Sequence, residues 1–340
     1  MYQFQQKLKN LKQVLKNWNR TQFGNIQVNH QKLEKQMEAL QQTIIREGWT
    51  KDQSQQEQIL WNQIEEWRQQ EEILWRQKSR INWLKEGEKN TKFFHRTALQ
   101  RRMHNTITFI NNQQGERVES HEDMEKEFTN YFQDILKELA GNREAKIRTI
   151  TQHIPRIITE EHNNKLMQPT SLKEIEEAMN QLKDGKAPGS DGFTANFYHE
   201  FWELIKEEVW ELVEESRSMH WILPALNTTF IALVPKRAEP SKPENYRPIA
   251  LCNVIYKLNT KVIANRLKPL LPLLISPEQT CYVEGRQIMD GIILSNEVIH
   301  SLKILKKPGM LLKLALSKAF DKLSWNYIQK MLLAFGFSFT

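Results

Sequence analysis

From Met1 to about Gln100 the chain is almost free of glycine and proline, and its apolar residues recur at helical spacing through a background of Gln, Lys, Glu and Asn. That combination leaves little but long helices. Leu60, Trp67, Leu74 and Ile81 fall seven apart with Ile64 between them, which puts them on one stripe while Glu65, Arg68 and Glu72 look outward. A hairpin of helices turning near "REGWTKD" is expected.

The charge carried by this region reads in two ways. A Gln-rich, charged helix surface is in most cases solvation, and the region is then a helical spacer. Yet in "RQKSRINWLKEGEKNTKFFHRTALQRRMHN" the cations Arg76, Lys78, Arg80, Lys85, Lys89, Lys92, Arg96, Arg101 and Arg102 crowd around Trp83, Phe93, Phe94 and His95. Cations that neutralise phosphates beside rings that stack on bases suit a nucleic-acid surface, although Trp83 and Phe94 fit a helix core better. A formal net charge of +7 and a pI near 9.2 agree with a polyanionic partner without naming one. Cys252 and Cys281 have no metal-ligand spacing and read as reduced, half-buried thiols. No apolar stretch reaches membrane-spanning length and the N-terminus has no signal-like apolar core, so an intracellular, nuclear or cytoplasmic chain without membrane contact is expected.

Beyond this region the pattern shortens. "TITFINNQQGERVES" predicts a small hairpin turning at Gly115, and Met124, Phe128, Tyr131, Phe132 and Ile135 predict an amphipathic helix from about Glu122. Thr170 or Ser171 can cap a helix carrying Leu172, Ile175, Met179 and Leu182, which ends at "KDGKAPGSDGF". That loop lacks the spacing of a nucleotide-hydrolase phosphate loop; a turn between helices suffices, and a polyanion-facing loop using Lys183 and Lys186 stays open. Thr229 to Val234 and "YRPIAL" read as a two-stranded ribbon with Lys236, Arg237 and Arg247 on or beside it. A helix from about Asn253 to Leu271 follows, with Ile255, Leu258, Val262, Ile263 and Leu267 inward.

Four blocks in order, "LKDGKAPGSDGF", "IALVPK" with "NYRPIALCNVIYKLNTKVIANRLK", "EQTCYVEGRQIMDGI" and "LKLALSKAFDKLSW", resemble the reverse transcriptase of plant LINE-type non-LTR retrotransposons. The basic helical segment is similar to the one that precedes it there. The resemblance implies an α+β fold, with long N-terminal helices followed by a truncated right-hand polymerase of fingers and partial palm. It divides the chain into a basic helical segment (1–105), a hairpin, helix and connection (106–165) and a reverse transcriptase region (166–340). It further implies that Lys236 and Arg247 contact a nucleoside triphosphate and that Lys186 and Arg286 join Arg80, Lys92, Arg96, Arg101 and Arg102 in holding an RNA or DNA template or primer. "LKLALSKAFD" would be the palm strand.

In that family the strand carries an Asp that binds Mg2+, and here the position is Ala315. A methyl group cannot ligate a cation. Asp321, six residues on, is a weak substitute, and capping the next helix is its expected role. The chain also stops short of the family's Ala-Asp-Asp hairpin. The expectation is therefore a truncated, catalytically incompetent chain that holds no Mg2+ properly, binds nucleic acid, and leaves association through its N-terminal helices open. A helical structural or interaction protein is the alternative; a working polymerase would need ligands from another chain.

Overall fold

The computed structural model describes residues 1–81, 91–137, 143–314 and 318–339. Four helices come first: α1 (Tyr2–Trp18), α2 (Ile26–Glu47), α3 (Lys51–Ser79) and α4 (Thr91–Asn105). A minimal hairpin of β1 (Ile110–Asn111) and β2 (Arg117–Val118) leads to α5 (His121–Leu136), α6 (Glu144–Thr151), α7 (Glu160–Met167) and α8 (Leu172–Asn180). Then follow α9 (Ala195–Glu200), α10 (Trp202–Met219), α11 (Pro224–Asn227), and the ribbon of β3 (Thr229–Pro235) and β4 (Tyr246–Cys252). The last helices are α12 (Val254–Leu267), α13 (Leu271–Leu274), α14 (Ile288–Ile304) and α15 (Trp325–Phe335). These elements form two compact units, each discontinuous in sequence: 1–110 with 183–254, and 111–182 with 255–340.

In the first unit the helical hairpin turns where expected. Gly48 at φ +87° ends α2, and Thr50 starts α3 through a capping box with Gln53. Ile64 is buried, but α3 stops at Ser79 because Arg80 adopts a left-handed conformation (φ 54°), so Ile81 is buried beyond the helix instead of completing its stripe. Arg68 does not look outward. It reaches Glu34 of α2 at 3.7 Å and lies 5.7 Å from the ring of Trp61. Helix α10 buries Val209, Leu212 and Val213, and α1 lays Phe4 and Leu8 inward, with its terminal amine paired to Glu215 and Lys7 2.8 Å from Glu208. Strands β3 and β4 pair antiparallel from Thr229↔Cys252 to Pro235↔Tyr246. Both are edge strands, which tolerates Pro248 in the middle of β4.

The second unit is mainly helical. Ser171, not Thr170, caps α8 by accepting from the Glu174 amide at 3.2 Å, and Ile175, Ala178 and Met179 form the buried face. Helix α12 begins at Val254, later than expected, and buries Ile255, Leu258 and Val262; Ile263 is exposed, because one residue past Val262 rotates it about 100° off the stripe. Of the expected palm strand, residues 312–321, the described residues 312–314 and 318–321 form no strand, since among the described residues no other strand lies beside them to complete a ladder; residues 315–317 lie outside the described residues. Met310, Leu311, Leu312 and Leu314 are instead largely exposed. Both cysteines are free and half-buried, and no helix among the described residues is long and apolar enough to cross a membrane.

Candidate nucleic-acid interface

The loop "KDGKAPGSDGF" is fastened at both ends within the first unit. At its start His199 Nδ1 lies 2.7 Å from Asp184 Oδ1, and the Gly185 amide donates to Asn196 Oδ1 at 2.9 Å. At its end the side chain of Asn253, 1% exposed, acts as a clamp. Its Oδ1 accepts from the Ser190 hydroxyl at 3.2 Å and the Asp191 amide at 3.1 Å, while its Nδ2 donates to the carbonyls of Ala225 and Leu226. Asp191 Oδ1 accepts from the Phe193 amide at 3.0 Å, an Asx turn that starts the approach to α9. Lys12 of α1 donates to the Ser190 carbonyl at 3.2 Å. Lys183 and Lys186 are left exposed on a loop that cannot swing freely.

Below the loop lies Tyr198, fully buried, whose hydroxyl has no hydrogen-bond partner among the described residues. Burial pushes its phenol well above the ordinary range, and the Asp191 carboxylate adds to the shift. An unfolded tyrosine ionises near pH ~10 and the folded one above it. The stability this residue carries is therefore whole below about pH 10 and lost as the pH rises past that value. Tyr198→Phe should leave the urea midpoint at neutral pH unchanged or raised, since an unpaired hydroxyl is deleted, and should blunt the loss of stability in alkali. A lower midpoint at neutral pH would show the hydroxyl to be bonded.

At the ribbon, cross-strand register places Arg247 opposite Val234, and alternation puts Lys236 on that same face. Both are exposed. Lys236 is held by its main-chain amide on the Asn245 carbonyl (2.8 Å) and by its Nζ on the Glu244 carbonyl (2.7 Å), and Arg237 donates to Asn245 Oδ1. The ribbon end thus gathers three cations around a loop pinned by Asn245.

Other expected contacts have different surroundings. The Arg286 guanidinium donates to the carbonyls of Ser276 (2.6 Å), Gln279 (2.9 Å) and Ile275 (3.0 Å), so it organises the turn before α14. Arg101 donates to the Ser79 carbonyl and fastens α4 to the end of α3. Lys92, Arg96 and Arg102 are exposed on α4, Arg80 is exposed at the end of α3, Phe94 is buried and Phe93 is exposed. Lys85, Lys89 and Trp83 lie outside the described residues.

Ala315 also lies outside the described residues. Asp321 is exposed in a turn and does not cap the following helix; Ser324 does, accepting from the Tyr327 amide at 3.4 Å. Asp321 sits three residues too early, and the residue adjoining the first helical turn takes the cap. The donors do not fit a two-metal centre. Such a centre needs several carboxylate oxygens converging on cations about 4 Å apart, and among the described residues no three His, Cys, Asp or Glu side chains converge. No step through a metal follows from these residues.

Residues 234–339, which begin in β3 and include both Lys236 and Arg247, match the family model described as reverse transcriptase (RNA-dependent DNA polymerase). The match covers less than half of the chain, and it is to this class of protein, reverse transcriptases, that the segment is similar. Its type comes from two similar proteins. One is the transposon TX1 uncharacterized 149 kDa protein of Xenopus laevis, 25% identical over 260 residues, covering 76% of this chain and 20% of that protein. The other is the retrovirus-related Pol polyprotein from type-1 retrotransposable element R2 of Popillia japonica, 27% identical over 172 residues, covering 49% of this chain and 22% of that one. The matches support a reverse transcriptase of the non-LTR type. The chain spans about a fifth of the length of these relatives.

Proposed function

We propose that this chain, of the kind found in plant LINE-type elements, binds an RNA or DNA template or primer and does not join nucleotides. The observation that supports the binding half is the exposure of Lys92, Arg96 and Arg102 together on α4. Lys186 is exposed on its fastened loop, and Lys236 and Arg247, which the resemblance assigns to a nucleoside triphosphate, share a face at the ribbon end inside the segment matched to the reverse transcriptase family. The catalytic half rests on Ala315, a methyl where the resemblance requires a carboxylate, with Asp321, six residues on, a weak substitute. Mg2+ serves the intact family, and the methyl at Ala315 takes away one of the ligands the resemblance implies for it.

Phosphate contacts release counterions, so affinity for a labelled oligonucleotide should fall linearly with salt on logarithmic axes. The triple variant Lys92→Glu, Arg96→Glu, Arg102→Glu should flatten that slope by about 0.7–0.9 for each phosphate no longer neutralised. Arg101 is left intact because it fastens the helix end. Affinity indifferent to salt would refute the proposal.

A further inference from the structure

Within the first unit, the corner between α1 and α2 opens onto the end of α3 and the start of α4 as a cleft of about 760 Å3. This is inside the range of roughly 300–1,000 Å3 typical of small-ligand sites. Its contents differ from those of an ordinary polar groove. Trp75 and His95 meet edge to face with ring centres 4.1 Å apart, and Lys78 Nζ stands 4.8 Å from the Trp75 ring centre. Across the cleft a single π-helical turn, residues Asn19–Phe23, brings in Arg20 and Phe23. Phe23 is braced between Trp18 at 5.7 Å and Trp67 at 5.4 Å. Trp75 and His95 are half-buried, which fixes their rings while part of each stays open to solvent.

We infer that this cleft is a binding site for an unpaired stretch of single-stranded nucleic acid, one base lying against the Trp75–His95 pair and the flanking phosphates meeting Arg20 and Lys78. The inference rests on the nucleic-acid reading above and narrows it to a site and a strandedness. Rings held in place offer stacking surface to a base at little cost in ordering, and Arg20 and Lys78 in the same lining supply cations for the flanking phosphates. A duplex keeps its bases stacked inside and has no face to offer. Glu71, the acid among the lining residues, disfavours a phosphate beside it and can accept from a base's exocyclic amine. Arg20 and Phe23 lie more than fifty residues from Trp75 in sequence, and folding alone brings them together.

The test uses the full chain at one fixed salt concentration with labelled oligo-U, oligo-dT and a duplex of equal length. Single strands should bind about tenfold or more tightly than the duplex, and the better of the two homopolymers identifies RNA or DNA as the source of the strand. Trp75→Leu should weaken single-strand binding about tenfold without changing its salt slope, Trp75→Phe should retain most of the affinity, and Arg20→Glu with Lys78→Glu should flatten the slope. If Trp75→Leu does not fold, the other two variants decide. Salt-dependent binding that none of these variants alters would overturn the inference while leaving nucleic-acid binding in place; a wild-type chain that binds neither single strand nor duplex would overturn both.

Discussion

Gly189→Ala is expected to lower the stability of the chain by about 3 kcal/mol or more, the upper end of what overpacking costs. The reason is space, not backbone conformation. A Cβ at Gly189 would stand 2.3 Å from Asn253 Oδ1, 2.5 Å from Asn253 N and 2.6 Å from the Cys252 carbonyl carbon. Two of those atoms are main chain at the junction of β4 and α12, and the third is a buried amide oxygen already shared by Ser190 and Asp191. Any shift that relieves the clash also breaks the clamp on the loop, so steric and hydrogen-bond costs fall together. Gly185→Ala makes the control. Gly185 has φ +70° with nothing within 4 Å of a built Cβ, so it should cost only the left-handed conformation, about 1–2 kcal/mol. Urea unfolding of both variants separates the two reasons for glycine in one loop; equal midpoints would remove the close approach from the account.

Arg266→Ala should destabilise the second unit by about 2–3 kcal/mol. Arg266 Nε and Nη2 donate to the two oxygens of Glu174 at 2.6 and 2.8 Å, while Nη1 donates to the carbonyls of Leu166 and Gln168 at 2.8 and 2.7 Å. One side chain therefore pairs the acid of α8 and satisfies carbonyls at the end of α7. Its removal leaves the carboxylate and both carbonyls without these donors. The pair retains some solvent contact, with the side chains 15% and 25% exposed, which holds the expected loss below that for a fully buried pair. Lysine should rescue little, because an ammonium cannot make the forked pairing and reach the carbonyls together. Thermal unfolding followed by circular dichroism reads the effect, and full rescue by lysine would show that only charge matters there.

What could be read from the residues alone follows from range. The corner at Gly48 and the cap at Ser171 are set by residues within a few positions of one another, and each strand of the ribbon is marked by its own residues although the pairing joins Thr229 to Cys252; all three are where expected. The roles of Asn253, Arg266 and Arg286 were not legible. Each satisfies backbone groups brought near by folding, and a lone Asn or Arg carries no local mark of its partners. Arg286 illustrates this: its place in a recognisable block gives no sign that three carbonyls engage its guanidinium. The expected palm strand, residues 312–321, shows the same limit from the other side. Its alternation from Lys313 is real, but a strand needs a partner, and periodicity does not supply one. The aromatic cleft was half visible, since Lys78 and His95 stand out in the basic segment, while Arg20 and Phe23 give no sign that they face them.

The central claim is that the chain holds nucleic acid without extending it. The direct measurement is a labelled primer–template incubated with the purified full chain, Mg2+ and deoxynucleoside triphosphates, with retention on the protein and primer length read from the same sample. The account predicts retention that weakens as salt is added and a primer of unchanged length. A primer lengthened by one nucleotide would contradict it.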